Sequence, residues 1–180
     1  MGKESFHHNY RALIAVFKVC AKKKDLQQGI KLHAEIPKQG ILENNPYLVS
    51  ALINMYAKCG AFSKAKQVLE DLPTRNSVSW NALISGYAQQ GQGQEALDCF
   101  GKMRLEGISP DVFTFTSILK ACGSIVAIEE GQIIHNEIVV RGLFKKDVVL
   151  GTALVDMYAK CGLLGKAQLV LDELPERNVF

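Results

Sequence analysis

Apolar residues recur at helical spacing through the middle of the chain. Trp80, Leu83, Ile84, Tyr87 and Ala88 stand at i, i+3, i+4, i+7 and i+8, one apolar stripe along a helix. Gly91 and Gly93 then interrupt the chain. Ala96, Leu97, Phe100 and Met103 form a second stripe, which Gly107 and Pro110 end. Neither helix can cover its stripe alone, so the pattern predicts two-helix units that bury a continuous core by stacking on their neighbours. Strand-like alternation is absent from the sequence, and the expected fold class is all-α: a right-handed α-solenoid of stacked helix-turn-helix repeats.

The pattern is also duplicated. "ALINMYAKCG" at 51–60 is nearly restated as "ALVDMYAKCG" at 153–162, a shift of 102 residues. The same shift lays "GIKLHAEIPKQG" (29–40) on "GQIIHNEIVVRG" (131–142), Cys20 on Cys122, and "LPTRN" (72–76) on "LPERN" (174–178). Of the 69 pairs from residue 10 onward, 24 are identical with no gap, which marks a duplication. The 102-residue unit is itself composite. "SALINMYAKCG", "NALISGYAQQG", "TSILKACGSIV" and "TALVDMYAKCG" follow one another at shifts of 31, 35 and 36 residues. Periods in this range are the signature of a helical solenoid. The repeated Met55/Met157 and Tyr56/Tyr158, with the Ala and Cys that follow, are expected in the core, and the closing Gly is expected to turn the chain.

Composition narrows the picture. With 48% hydrophobic and 22% charged residues the chain has the make-up of an ordered, soluble protein. A net charge of +3 permits nucleic acid as a partner without demanding it. The apolar runs are too short to span a bilayer, so no membrane association is expected, and no secretory or other targeting peptide is visible. Five cysteines, an odd number with no CxxC pair, argue for reduced buried thiols rather than disulfides or a zinc site.

The motif letters, their lengths and their order together resemble the pentatricopeptide repeat of the plant mixed class, in which long, short and standard motifs alternate. "VSWNALISGYAQQGQGQEALDCFGKMRLEGISPD" (78–111) is similar to the standard motif. "LINMYAKCG…AKQVLEDLPTRN" and "LVDMYAKCG…AQLVLDELPERN" resemble the short motif, and "TSILKACGS…EEGQIIHNEIVVRGL" the long one. The resemblance divides the chain into an N-terminal flank at 1–9, a long motif at 10–45, a short at 46–76, a standard at 77–111, a long at 112–147 and a short at 148–178. Residues 179–180 open a further motif, so about five repeats are expected. Tetratricopeptide arrays fit poorly, because Trp80 lacks the Gly their pattern places after the Leu.

The resemblance implies sequence-specific binding of single-stranded RNA, one base per repeat. In the family the fifth and last residues of each motif select the base, and the second, usually apolar, sandwiches it. Carried over by position, the selecting pairs are Ser50 with Asn76, Asn81 with Asp111, Thr116 with Asp147, and Thr152 with Asn178. The sandwiching residues are Tyr47, Val78, Phe113 and Val149. The family's code then implies 5′-A-U/C-G-A-3′. The first long motif departs from the pattern, with Ile14 fifth and Arg11 second, and is assigned no base. Asn76, Asp111, Asp147 and Asn178 each precede a predicted helix, where they also suit N-caps.

His33-Ala34-Glu35 and His135-Asn136-Glu137 spell half of the zinc deaminase signature, but the Pro-Cys-x-x-Cys half is missing from the sequence. They are expected to be helix residues, the lysines at 22–24 a solvated face, and His7-His8 no metal site. No catalytic constellation, metal site or cofactor is expected. The function expected from the resemblance is RNA recognition in organellar RNA processing, as the binding part of a C-to-U editing factor in mitochondrion or plastid, alongside other editing factors. A rival expectation is a protein-interaction solenoid that scaffolds an editing complex without reading RNA.

Overall fold

The computed structural model describes residues 3–36, 42, 45–144 and 147–174, with side chains from Tyr10 onward. Among these residues all regular structure is helical. The helices are α1 (Lys3–Lys23), α2 (Leu26–Glu35), α3 (Pro46–Lys58), α4 (Phe62–Glu70), α5 (Ser77–Gln89), α6 (Gly93–Leu105), α7 (Val112–Ile125), α8 (Ile128–Val140), α9 (Val148–Lys160) and α10 (Leu164–Asp172). Within the compact units α1 pairs with α2, α3 with α4, α7 with α8 and α9 with α10 as hairpins, the building block of an α-solenoid. α1 begins well before residue 10, so helix covers part of the stretch read as a flank.

Two compact units divide the chain, Met1–Gly86 and Tyr87–Phe180. In the first, α1 packs on α2 and α3, and α3 on α4. The α3 sequence is apolar on most of its circumference and is buried accordingly, with Leu48, Leu52, Ile53 and Met55 removed from solvent. Each such side chain contributes about 1.5–3 kcal/mol. On α5 the stripe read from the sequence is the buried face: Trp80, Leu83 and Ile84 here, Tyr87 and Ala88 in the second unit. Close approach also matters, since a Cβ on Gly86 would stand 2.7 Å from Ala57 Cβ. In the second unit α7 packs on α6, α8 and α9, and α9 on α10. Its core is built from Phe115, Ile118, Leu119, Leu154 and Met157.

The duplicated "MYAKCG" behaves largely as its pattern implies. Tyr56, Ala57, Tyr158 and Cys161 are buried, and Gly60 and Gly162 carry φ of +75°. There Ala61 N–H reaches back to Tyr56 O and Leu163 N–H to Tyr158 O, both at 2.9 Å, closing the helix ends. Two residues differ from expectation: Cys59 is only partly buried and Ala159 is exposed. Ala57 owes its burial to α5 at Gly86, and no described residue takes that place against Ala159.

Both H-x-E histidines are structural. His33 Nδ1 lies 2.8 Å from Tyr56 OH, and His135 Nδ1 lies 2.8 Å from Tyr158 OH. Each pair ties the second helix of one hairpin to the first helix of the next. Among the described residues no group of His, Cys, Asp and Glu gathers to hold a metal. All five cysteines are free thiols. Burial above all, helped by Glu130 and Cys161, pushes the Cys122 thiol up to about 12.

Among the described residues, α1 and α7 are each followed by a left-handed residue other than glycine, Lys24 (φ 56°) and Val126. Val126 takes this conformation at φ 57°, ψ 37° while its side chain is 54% exposed. A β-branched residue in this region costs about 1–2 kcal/mol, and the exposed side chain recovers little by packing. Val126→Gly should therefore stabilise the protein by about 1 kcal/mol, net of the entropy glycine adds to the unfolded chain. A urea midpoint that stays level or falls would contradict this assignment of strain.

Candidate nucleic-acid interface

The residues at the motif ends are helix caps. Asn76 Oδ1 accepts from Ser79 N–H at 3.0 Å, and Asn76 N–H donates to Ser79 Oγ at 3.1 Å. Asp111 and Thr114 make the same reciprocal pair before α7, at 2.9 and 3.0 Å. Asp147 Oδ1 accepts from both Val149 and Leu150 N–H at the head of α9. Each cap satisfies orphan donors of the first turn and fixes where that turn begins. Asn178 lies outside the described residues.

One turn further in stand the proposed partners. Ser50, Asn81 and Thr116 are half-buried and Thr152 is exposed. The two threonines share a geometry: Oγ1 of Thr116 donates to Val112 O and that of Thr152 to Val148 O, each at 2.8 Å. With its proton held by the backbone, each hydroxyl can only accept from a ligand. The motif-second residues are apolar yet face solvent, with Tyr47 74% exposed, Val78 39%, Phe113 75% and Val149 60%. The interior takes most residues of this type, so their regular exposure at the head of four helices is a pattern that folding does not require.

Sequence reading missed two features. A groove of about 550 Å³ lies between α1 and α3, with Tyr10, Arg11 and Lys18 on one wall and Tyr47, Ser50 and Lys58 on the other. Ile14 and Ala51 contribute apolar surface to it. The second feature braces Asp111 within the second unit. Arg141 donates to Pro110 O at 3.1 Å, lies over the Phe115 ring and pairs with Glu137 at 2.5 Å. Glu137 also pairs with Arg104 at 2.7 Å. The glutamate of the second H-x-E is therefore committed to holding the turn before α7. A motif scan does not expose such a link, because its members come from three helices.

Stacked helical hairpins of about 31–36 residues, four of them opening on a capped first turn that carries a short polar residue, define a helical-repeat array. The family profile described as PPR repeat matches residues 47–77 and 152–179, and the related profile described as PPR repeat family matches 75–124. The chain belongs to the pentatricopeptide-repeat family. Pentatricopeptide repeat-containing protein At2g13600 of Arabidopsis thaliana is 38% identical over 180 residues, which is all of this chain and 26% of that protein. The chloroplastic At4g18520 protein of the same plant is 40% identical over 95% of this chain and 27% of its own length. The chain thus spans about a quarter of the length of these relatives. Among solved structures, maize pentatricopeptide repeat protein PPR10 superposes with a TM-score of 0.65 at 23% identity, over 89% of this chain and 23% of that one. The pentatricopeptide domain of Arabidopsis thaliana protein-only RNase P 1, solved with tRNA, gives 0.62 at 16% identity, over 91% and 88%. These two likenesses concern the fold. Among the described residues no helix is long and apolar enough to cross a membrane.

Proposed function

We propose that the chain binds single-stranded RNA and selects one base per repeat, with Ser50–Asn76, Asn81–Asp111, Thr116–Asp147 and Thr152–Asn178 as the selecting pairs. The observation that carries this reading is the recurrence, at one register, of a short polar first-turn residue beside a solvent-facing apolar one. Tyr47, Val78, Phe113 and Val149 supply ring or branched surface against which bases stack, a contact every base can make. Selection falls to the polar pair. The accepting hydroxyls of Thr116 and Thr152 suit the exocyclic amine of adenine or the N–H groups of guanine, in line with purines at those places. The strand read is 5′-A-U/C-G-A-3′.

Maize PPR10 has been solved with an 18-nt psaJ RNA element, which supports RNA as the ligand class. The mixed long, short and standard order further points to the recognition part of a C-to-U editing factor, with catalysis supplied by another domain or protein. Relatives named chloroplastic and mitochondrial support an organellar setting for the full-length protein. The test is binding to RNAs containing AUGA and a scrambled order at two salt concentrations. AUGA should bind more tightly, with affinity falling as salt rises. Equal binding to both would sink base selection, and no binding would sink the whole reading.

A further inference from the structure

The peptide that leads into α7 has the Pro110 carbonyl at one end and the Asp111 N–H at the other, and both ends are held. Asp111 N–H donates to Thr114 Oγ1 at 3.0 Å, and Pro110 O accepts from Arg141 at 3.1 Å. The following peptide is pinned too, by Phe115 N–H donating to Asp111 O at 3.0 Å. The Asp111 Cα therefore stands between two planar groups that are each fixed, and its side chain leaves the backbone in one direction. The restraints differ in origin. Thr114 and Phe115 belong to the same turn, whereas Arg141 caps α8 and is 31 residues from Pro110 in sequence.

Arg141 is itself held in place. Its guanidinium lies 5.3 Å from the centroid of the buried Phe115 ring and pairs with Glu137, one turn back, at 2.5 Å. Glu137 takes Arg104 of α6 on its other oxygen at 2.7 Å. A flat fork of donors seated on a ring and aimed by a carboxylate keeps little rotamer freedom. The fold of the hairpin does not ask for this arrangement. The 102-residue shift sets Leu13 at the place of Phe115 and Gln39 at that of Arg141, while Glu35 matches Glu137. In that first copy α1 and α2 still pair. The brace is thus an addition to the second copy's hairpin, and what it adds is a fixed presentation of Asp111.

Resting on the base-selection reading above, we infer that Arg141 is a specificity-positioning residue for the second base. It meets no base itself. Through the Pro110 carbonyl it sets the angle at which Asp111 is presented, and Glu137 with Arg104 keeps it there. A hydrogen bond weakens steeply as it bends, so a carboxylate held at one angle discriminates between bases where a swinging one accepts several. Loss of the brace costs discrimination at one place in the RNA more than it costs affinity.

The test uses the full chain and three RNAs with common flanks, containing AUGA, AAGA and AUAA. Wild-type protein should prefer AUGA over AAGA by about tenfold. Arg141→Gln installs the residue that the first copy has at this place, and should reduce that preference to about twofold while AUGA itself is bound within about threefold of the wild-type affinity. The preference for AUGA over AUAA, which falls to Thr116 and Asp147, should stay as it was. Arg141→Met keeps an aliphatic stem over Phe115 but offers no donor, and should behave alike. Circular dichroism establishes that both variants are folded. A readout without RNA accompanies these: the Asp111 amide should exchange with deuterium at least about threefold faster in each variant. Four results would overturn the inference. They are a second-base preference untouched in both variants, an equal loss at the second and third bases, an Asp111 amide that exchanges no faster, and a uniform fall for all three RNAs. The last, with a flatter dependence of log affinity on log salt, would make Arg141 a phosphate contact instead. A wild-type protein that binds AUGA and AAGA alike would reject base selection by Asp111, and this role for Arg141 with it. A wild-type preference that survives in both variants rejects the role alone.

Discussion

Exchanging Asn81 for Thr and Asp111 for Asn together should turn the second base of the bound RNA from U toward A. The change in relative affinity should be about tenfold, the scale of one well-made base contact. Both substitutions suit the structure. Asp111 caps α7 through Oδ1, an oxygen asparagine also has, and the two residues are about equally good at that position. Threonine is already accommodated at the matching place in α7 and α9, its hydroxyl turned to the carbonyl four residues back. The measurement is competition between AUGA and AAGA for the wild type and the double variant. Unmoved preference, or equal loss of both RNAs, would reject these two residues as the selecting pair. Asp111→Ala supplies the contrast: it removes the cap as well, and should lower stability by about 1 kcal/mol.

Lowering the pH from 7.5 to 5.5 should lower the melting temperature by several degrees, and His33 and His135 should account for most of the fall. Burial holds both imidazoles below their ordinary value. At His33, Lys64 pushes the same way and Asp71 opposes; at His135, Glu173 opposes and Lys166 adds to the depression. Burial also raises the Tyr56 and Tyr158 phenols, which remain protonated partners. A histidine whose native value lies below its unfolded one takes up protons preferentially when the chain unfolds. Its contribution is therefore complete above about 6.5 and is lost as the pH falls toward the native value. The double variant His33→Asn/His135→Asn places an amide near each Nδ1 and cannot charge. It should melt at nearly one temperature across this range, above the pH at which ordinary carboxylates titrate. A level wild-type profile, or a variant that keeps the wild-type slope, would remove the histidines from the account.

Much of the fold is legible because duplication writes the same packing problem twice. Trp80, Leu83 and Ile84 announce a buried helix face by spacing alone, and the closing glycines of "MYAKCG" announce the turns. The His33–Tyr56 link is harder to find, since it joins residues 23 apart across a loop. Yet the same separation returns in His135 and Tyr158, a signal open to anyone comparing the copies. Val126 gives no warning, because valine is a poor indicator of a left-handed turn and only the backbone path reveals one. For the candidate interface, identities between the copies locate the register, while the brace on Asp111 lies in their differences. Gln39 against Arg141 is a change of one charge, and its weight is clear only once Arg141 is seen reaching the Pro110 carbonyl.

The caps at Asn76, Asp111 and Asp147 all work through the same carboxamide or carboxylate oxygen. Asparagine and aspartate can therefore replace one another at the end of a motif at little cost to folding, although one carries an amide donor where the other carries a second acceptor. On the proposed reading, an array built this way can drift from one target to another by single substitutions, each intermediate remaining a stable protein. Retargeting in such a lineage would be limited by selection on the RNA rather than by the robustness of the scaffold.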